Sequence, residues 1–406
     1  MVATVDTTTY GSPVINALQK KCFYANGRFW AWYRGNTNFG WKTSVDGIDW
    51  TGAFVSYGAY APTYFDLWYD EPNNKICLVR SQGSTANIYY RQGTANGDGT
   101  ITWDSNEVQV TTDKGYYPRV CKDSNGYPWI SYRTSATNYD RVVKATATNG
   151  SSWGSPTTLW TIASSAIVIV PLTGGKLLAI CDGQGAYVFQ SRLFNGTSWE
   201  VAVNASTSNA NLYYAWDAVA DGDNVHLIFC KVTSYDIVYV KYTYGTGWGS
   251  EETVESGTVG QNHPTITFKS TNSIRVYYFL TQTTIKYRDR DSGSWQTAVI
   301  IDSSQSTMTC ISSSYRAISS KYCVIWKSGA SSPYNVQFEG YTLGAPPPTE
   351  TITAKNFPML YVSKPVKTQE LISKVEGATI TKVANDFPEE LIKSGKAAEL
   401  KSKFAT

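Results

Sequence analysis

Six tryptophans stand at near-constant spacing, each closing a short polar box that contains glycine. The boxes are SVDGIDW ending at Trp50, GDGTITW at Trp103, TNGSSW at Trp153, FNGTSW at Trp199, YGTGW at Trp248 and DSGSW at Trp295. Strand-rich units repeating at about fifty residues are the signature of a β-propeller. Each interval has the same interior: apolar runs of strand length, a turn between each pair, the box, and a further run. RVCKD, PWISYR, DRVVKAT and TTLWTI around Trp153 show the pattern. Four strands per repeat make one blade. Asn26-Gly27, Asn125-Gly126 and Asp221-Gly222 supply the pairs that tight hairpins require. The expected fold is all-β: a seven-bladed propeller of four-stranded blades, with six or eight blades as alternatives.

The seventh unit has three strand-like runs near 310–343 and no box after them. The N-terminal stretch VATVDTTTY resembles the fourth strands elsewhere, so the first ten to fifteen residues are expected to pair near 322–342 and close the ring. Closure of this kind removes free sheet edges. Domain bounds follow: a propeller over 1–344, a Pro-rich linker over 345–357 and a tail over 358–406. In the tail Trp disappears and Lys, Glu and Ala rise. It reads as a small β-α-β-α unit for docking or self-association, with a flexible tail as the alternative.

Composition narrows the function. Aromatics reach 14%, with 14 Trp and 29 Tyr, while a net charge of +3 argues against a nucleic-acid partner. Seven Cys imply no complete disulfide framework, and Cys77, Cys181, Cys230 and Cys323 sit inside apolar runs as expected core thiols. Two His and no CxxC leave no zinc pattern, and no phosphate loop or dinucleotide fingerprint occurs, so neither metal nor cofactor is expected. No apolar run is long enough for a membrane span. The opening residues lack a basic and an apolar secretory region. A surface or virion particle is the expected location, with the cytoplasm open as the alternative.

Ser44, Asp46, Gly47 and Trp50 resemble the Asp-box hairpin of sialidase-like propellers, one residue shorter than usual. The other five boxes keep Gly and Trp but mostly lose Ser and Asp. In that family the box is a structural turn, far from the active face, so Trp50, Trp103, Trp153, Trp199, Trp248 and Trp295 are expected to be structural. The whole chain also resembles the propeller heads of uncharacterised archaeal and phage-like surface or virion proteins.

By analogy with propellers, ligands sit on the face where second strands end and first strands begin. Aligned there are Arg34, Arg80, Arg133, Asp182, Lys231 and Lys327, with Leu280 and Thr281 in the sixth unit. The loops entering each blade add Tyr64, Asp66, Tyr116, Tyr117, Arg119, Tyr213, Tyr214, Trp216, Asp217 and His263. Arg forks match carboxylate or sulfate, and Tyr and Trp faces suit sugar rings. The ligand-binding candidates are therefore Arg34, Arg80, Arg119, Arg133, Lys231, Lys327, Trp216, Asp217 and His263, with an acidic or neutral glycan as partner.

The sialidase resemblance implies an arginine triad, which Arg34, Arg80, Arg119 and Arg133 could supply. It also implies an acid, with Asp66 the candidate, and a nucleophile, with Tyr117 or Tyr214 the candidates. The chain departs from that pattern: the Arg-Ile-Pro opening is absent, and no Glu stands out to activate a Tyr. Three functions stay open. The first is a non-catalytic glycan-recognition propeller tethered by its tail. The others are a sialidase-like glycoside hydrolase and a structural shell or fibre subunit.

Overall fold

The computed structural model of the 406-residue chain describes residues 1–58, 62–161, 164–183, 188–209, 215–258 and 263–344. The chain divides into two units, Met1–Leu343 and Gly344–Thr406. The linker 345–357 and the tail 358–406, with its expected helices, lie outside the described residues. The first unit is all-β, with two 3-10 turns as the helical elements among the described residues.

Its strands form antiparallel sheets in chain order, spanning 22–58, 64–160, 164–204, 216–255 and 265–302. In a sixth sheet Ala3–Thr8 pairs with Tyr334–Thr342, which continues to Lys321–Ser328 and Thr309–Ser313. The N-terminal strand thus takes the outer place next to the strand the sequence reading assigned to it. The sheet of 64–160 holds eight strands, and its long strand Val108–Lys122 joins two halves. Residues 108–111 of that strand pair with Ile88–Tyr90, whereas 115–122 pair with Pro128–Thr134. One strand therefore leaves the outer edge of one four-stranded set and becomes the inner edge of the next.

Second strands such as Arg28–Arg34, Lys75–Ser81, Asn224–Cys230 and Lys321–Ser328 are buried on both faces. That is why they read as continuous apolar runs instead of alternating ones. Each sheet is covered by its neighbours, and the apolar side chains fall into seven clusters among the described residues. Each cluster joins one four-stranded set to the next. Phe39 and Trp41 meet Phe65 and Leu67 in one of them, and Val5, Ile325 and Phe338 of the last sheet meet Phe29 and Trp50 of the first in another.

The six box tryptophans reinforce these junctions. Trp50 stacks edge-on against Phe338 at 4.7 Å, Trp103 against Tyr57 at 5.2 Å, Trp153 against Tyr90 at 5.2 Å, and Trp199 against Trp129 at 6.2 Å. The Trp248 indole donates to Ser191 Oγ at 2.8 Å, and Trp295 packs on Tyr239 at 5.4 Å. Every one of them reaches the preceding four-stranded set, and Trp50 reaches the last. The turns explain how degenerate boxes still work. Asp46 Oδ1 accepts from the amides of Ile48 and Asp49, and Asp98, Asn149 and Asn195 accept from the amide two residues on. The acceptor survives as Asp or Asn where the Ser is lost, since either side chain closes the turn. Asn26-Gly27 has both residues at positive φ, as a type I′ hairpin needs, whereas at Asn125-Gly126 and Asp221-Gly222 the glycine alone does. All seven cysteines are buried.

Deleting residues 1–8 removes the outer strand and the buried Ala3 and Val5. The expected outcome is a melting temperature lower by about 10 °C or more in circular dichroism, since each kcal/mol lost from a large domain shifts it by a few degrees. An unchanged melting curve would show that this pairing contributes nothing.

Candidate functional site

Between Ala3–Thr8 and Cys22–Ala25 the chain makes no strand, yet it is among the most buried segments of the molecule. Val14, Asn16, Ala17, Leu18, Gln19, Lys20 and Lys21 are at most 2% exposed. A polar segment is stable there only if its groups are satisfied. It bonds to first strands from several sheets. The Gln19 amide group donates to Pro118 O at 2.7 Å, and Lys20 N to Asp66 Oδ1 at 2.5 Å. Lys21 N donates to Ser312 Oγ at 3.0 Å, and that hydroxyl donates to Gln19 O at 2.8 Å. This segment plugs the centre where the first strands converge.

Charges surround the plug. Lys20 Nζ lies 2.5 Å from Asp217 Oδ2 and donates to Ile266 O at 2.9 Å. Arg119 Nε donates to Asp66 Oδ2 at 3.0 Å, and its Nη1 stands 3.5 Å from Asp217 Oδ1. Asp66 also accepts from Val120 N, and Asp217 from Thr265 Oγ1, Ile266 N and Ala218 N. Burial pushes the Asp66 carboxyl above its ordinary range, opposed by Arg119 and Lys21. Burial pulls Lys20 down, opposed by Asp217. Lys21 touches no carboxylate among the described residues; its amine donates to Phe65 O and to Gln19 Oε1 over the Phe65 ring. Burial holds it well below the usual lysine range. Lys20 and Arg119 pair with Asp217 and Asp66, and Lys21 stands outside those ion pairs.

This places four sequence candidates. Asp66, Arg119, Trp216 and Asp217 are at most 2% exposed and belong to the packed centre, with both carboxylates enclosed by donors. No sequence pattern marks Gln19, Lys20 or Lys21, which hold those groups in place. Tyr213 and Tyr214 lie outside the described residues.

The remaining candidates stand at the end where second strands finish, here called the upper end. The register brings Arg34, Arg80, Arg133 and Lys327 to the last positions of their strands, beside the first-strand starts at Tyr64, Tyr116 and Thr309. Each of the four cations lies over a tyrosine. Arg34 is 3.8 Å from the Tyr10 ring, Arg80 4.8 Å from Tyr89, Arg133 5.8 Å from Tyr116, and Lys327 4.3 Å from Tyr334. Arg80 is also bidentate on Glu107, with Nε at 2.6 Å. Arg133 Nη2 donates to Asn138 at 2.6 Å. The Nε atoms of Arg34 and Arg133 have no hydrogen-bond partner among the described residues. Lys231 instead pairs with Glu251 at 3.2 Å, and Asp182 is buried and accepts from Ala166 N. His263 is partly buried, and its burial lowers the imidazole to about 4.

Three tyrosines cluster next to Arg133. Tyr64 meets Tyr117 at 4.8 Å and Tyr116 at 5.9 Å, with Tyr116 and Tyr117 6.0 Å apart. All three are half-buried. Tyr117 has φ +52° inside the irregularity between Tyr116 and Arg119. A bulge re-aims side chains at a sheet end, and left-handed backbone at a tyrosine needs support. The plug supplies it through the Gln19 bond to Pro118 O.

No protein-family model matches the chain, and no curated protein matches it. Among solved structures, it is similar to the polysaccharide lyase Uly1 at 10% identity, covering 83% of this chain and 92% of that one, with a TM-score of 0.52. It is more loosely similar to the phage phi92 endosialidase (10% identity, 91% and 72% covered, TM-score 0.49). A third likeness is to the Aleuria aurantia lectin in complex with Fucα1-6GlcNAc (14% identity, 69% and 91% covered, TM-score 0.47). The likeness to the lyase shows a shared fold and carries no activity across.

Two substitutions separate the buried lysines. Lys20→Met strands Asp217 without its ammonium and is expected to cost about 3–5 kcal/mol, as removal of one partner of a buried pair does. Lys21→Met replaces an amine with no carboxylate and is expected to leave stability at pH 7 unchanged or raised. The sign with pH follows from the lowered folded value. The unfolded chain, titrating near 10.5, binds the extra proton, so this residue's contribution improves as pH rises toward that value. Urea unfolding between pH 7 and 9.5 should show a slope in the native protein that is shallower in Lys21→Met; equal slopes would count against a lowered folded value for Lys21.

Proposed function

We propose that the first unit is a closed seven-bladed propeller that recognises glycans at its upper end without cleaving them. The blade count rests on the division of strand Val108–Lys122 between two sets and on the seven core clusters, one at each junction. Closure rests on the pairing of Ala3–Thr8 with Tyr334–Thr342 and on Trp50 against Phe338.

The observation that carries recognition is the half-buried Tyr64–Tyr116–Tyr117 cluster with Arg133 beside it. Tyrosine faces cover the apolar side of a sugar ring, and a guanidinium with a spare N–H takes a carboxylate or hydroxyl. The fold shared with a polysaccharide lyase is one that accommodates such chains. Favouring recognition over hydrolysis, Asp66 has both oxygens occupied by Lys20 N, Arg119 and Val120 N at the buried centre. We also propose that the protein works on a cell surface or particle and is tethered through residues 345–406; the change of composition after Pro348 supports this.

A glycan array read beside a fluorogenic sialoside assay tests the reading. The expected outcome is binding to an acidic or neutral glycan with no turnover. Affinity should fall by about tenfold or more in Tyr116→Ala and in Arg133→Ala, the scale of one lost ring or charged contact. Turnover would establish an enzyme, and unchanged affinity in both variants would remove this site.

A further inference from the structure

The opposite, lower end carries a cleft of about 300 Å³ between the sheets of 216–255 and 265–302. It lies far from the tyrosine cluster in register, beside the first turn at Asn272 and the box turn at Ser292-Gly293. His226 lines it, at 3% exposure. Its Nδ1 is 2.8 Å from the Tyr239 hydroxyl, on which the ring stacks, and its Nε2 has no hydrogen-bond partner among the described residues. A buried polar atom without a partner costs free energy unless something else satisfies it.

The charged residues of the lining are two cations, Lys241 and Arg290. Lys241 is the cross-strand neighbour of His226 and makes no ion pair among the described residues. Arg290 spends Nε and Nη2 on Glu252, at 3.0 and 2.7 Å, which neutralises that charge but leaves Nη1 uncommitted among the described residues. Asp221, nearby, is turned to the amide of Asn272 at 3.0 Å. The cleft therefore keeps one unbalanced positive charge at Lys241.

From the unpartnered His226 Nε2 beside the unpaired Lys241, we infer a second binding site, for an oxyanion: a sulfate or carboxylate, free or carried by an acidic sugar. Burial beside Lys241 and Arg290 holds the imidazole neutral down to about 3. Burial raises the Tyr239 hydroxyl far above neutral pH, so it keeps the proton that it can donate to Nδ1. We assign the tautomer in which Tyr239 donates to Nδ1; Nε2 then carries the N–H that donates to the anion, while Lys241 supplies the charge. The site is independent of the tyrosine cluster and stands or falls without it.

The chain has only two histidines, which makes the His226 ring nitrogens and protons separable by NMR. The full chain would be titrated with sodium sulfate and with sodium glucuronate, against sodium chloride at matched ionic strength. A saturable shift of the His226 Nε2 signals with sulfate or glucuronate, and none with chloride, is expected. Saturation by both anions identifies a general oxyanion site, and saturation by glucuronate alone identifies an acidic-sugar site. Lys241→Gln should weaken the saturating anion about tenfold, and Lys241→Arg should keep it, with both variants melting like the native protein. No saturable shift, the same shift with chloride, or equal affinity in Lys241→Gln would overturn the proposal.

Discussion

Two carboxylates with no solvent contact, Asp66 and Asp217, set the terms for the centre of this molecule. Each belongs to a first strand, and first strands from different sheets meet at this point. Buried charges demand partners of opposite sign and full hydrogen bonding. Lys20 and Arg119 supply the charge, and main-chain amides and the Thr265 hydroxyl supply the rest. The segment around Gln19 and Lys20 is thus both filler and counter-ion. Because it bonds to strands far apart in sequence, it couples their positions.

That coupling reaches the surface. Gln19 fixes Pro118, Pro118 sits in the bulge, and the bulge turns Tyr117 toward Tyr64 and Tyr116. Rigid aromatic platforms bind with little loss of conformational freedom, and a platform locked from beneath has less still to lose. The lower end is organised differently. Four of its box turns are closed by Asp or Asn side chains, each box is pinned by its tryptophan to the preceding set, and the cleft at His226 opens where the Ser292-Gly293 turn meets the neighbouring sheet.

The upper-end cations were legible because register follows the strand pattern. Arg34, Arg80, Arg133 and Lys327 end apolar runs, and antiparallel pairing must bring them to one end. Their tyrosine partners were not legible as partners. Tyr10 comes from beyond the N-terminal strand, Tyr89 from a third strand, and Tyr334 from the start of another. The same alignment put Asp66, Arg119, Trp216 and Asp217 in the loops entering each blade. They lie instead in the packed centre, a difference of depth that a strand pattern does not encode.

The sequence by itself determined the repeat, the strands within it, the boxes and the outer place of the N-terminal strand. These follow from local chemistry: apolar runs of strand length, side-chain acceptors that close turns, and an unfilled edge that needs a strand. Only the tertiary structure decided which charges are buried and which face water. Nothing near Lys20 and Lys21 in sequence marks them as buried or names Asp217 or Phe65 as partners. Coulombic pairing depends on distance in space and on exclusion of water, and both are set when separate strands converge.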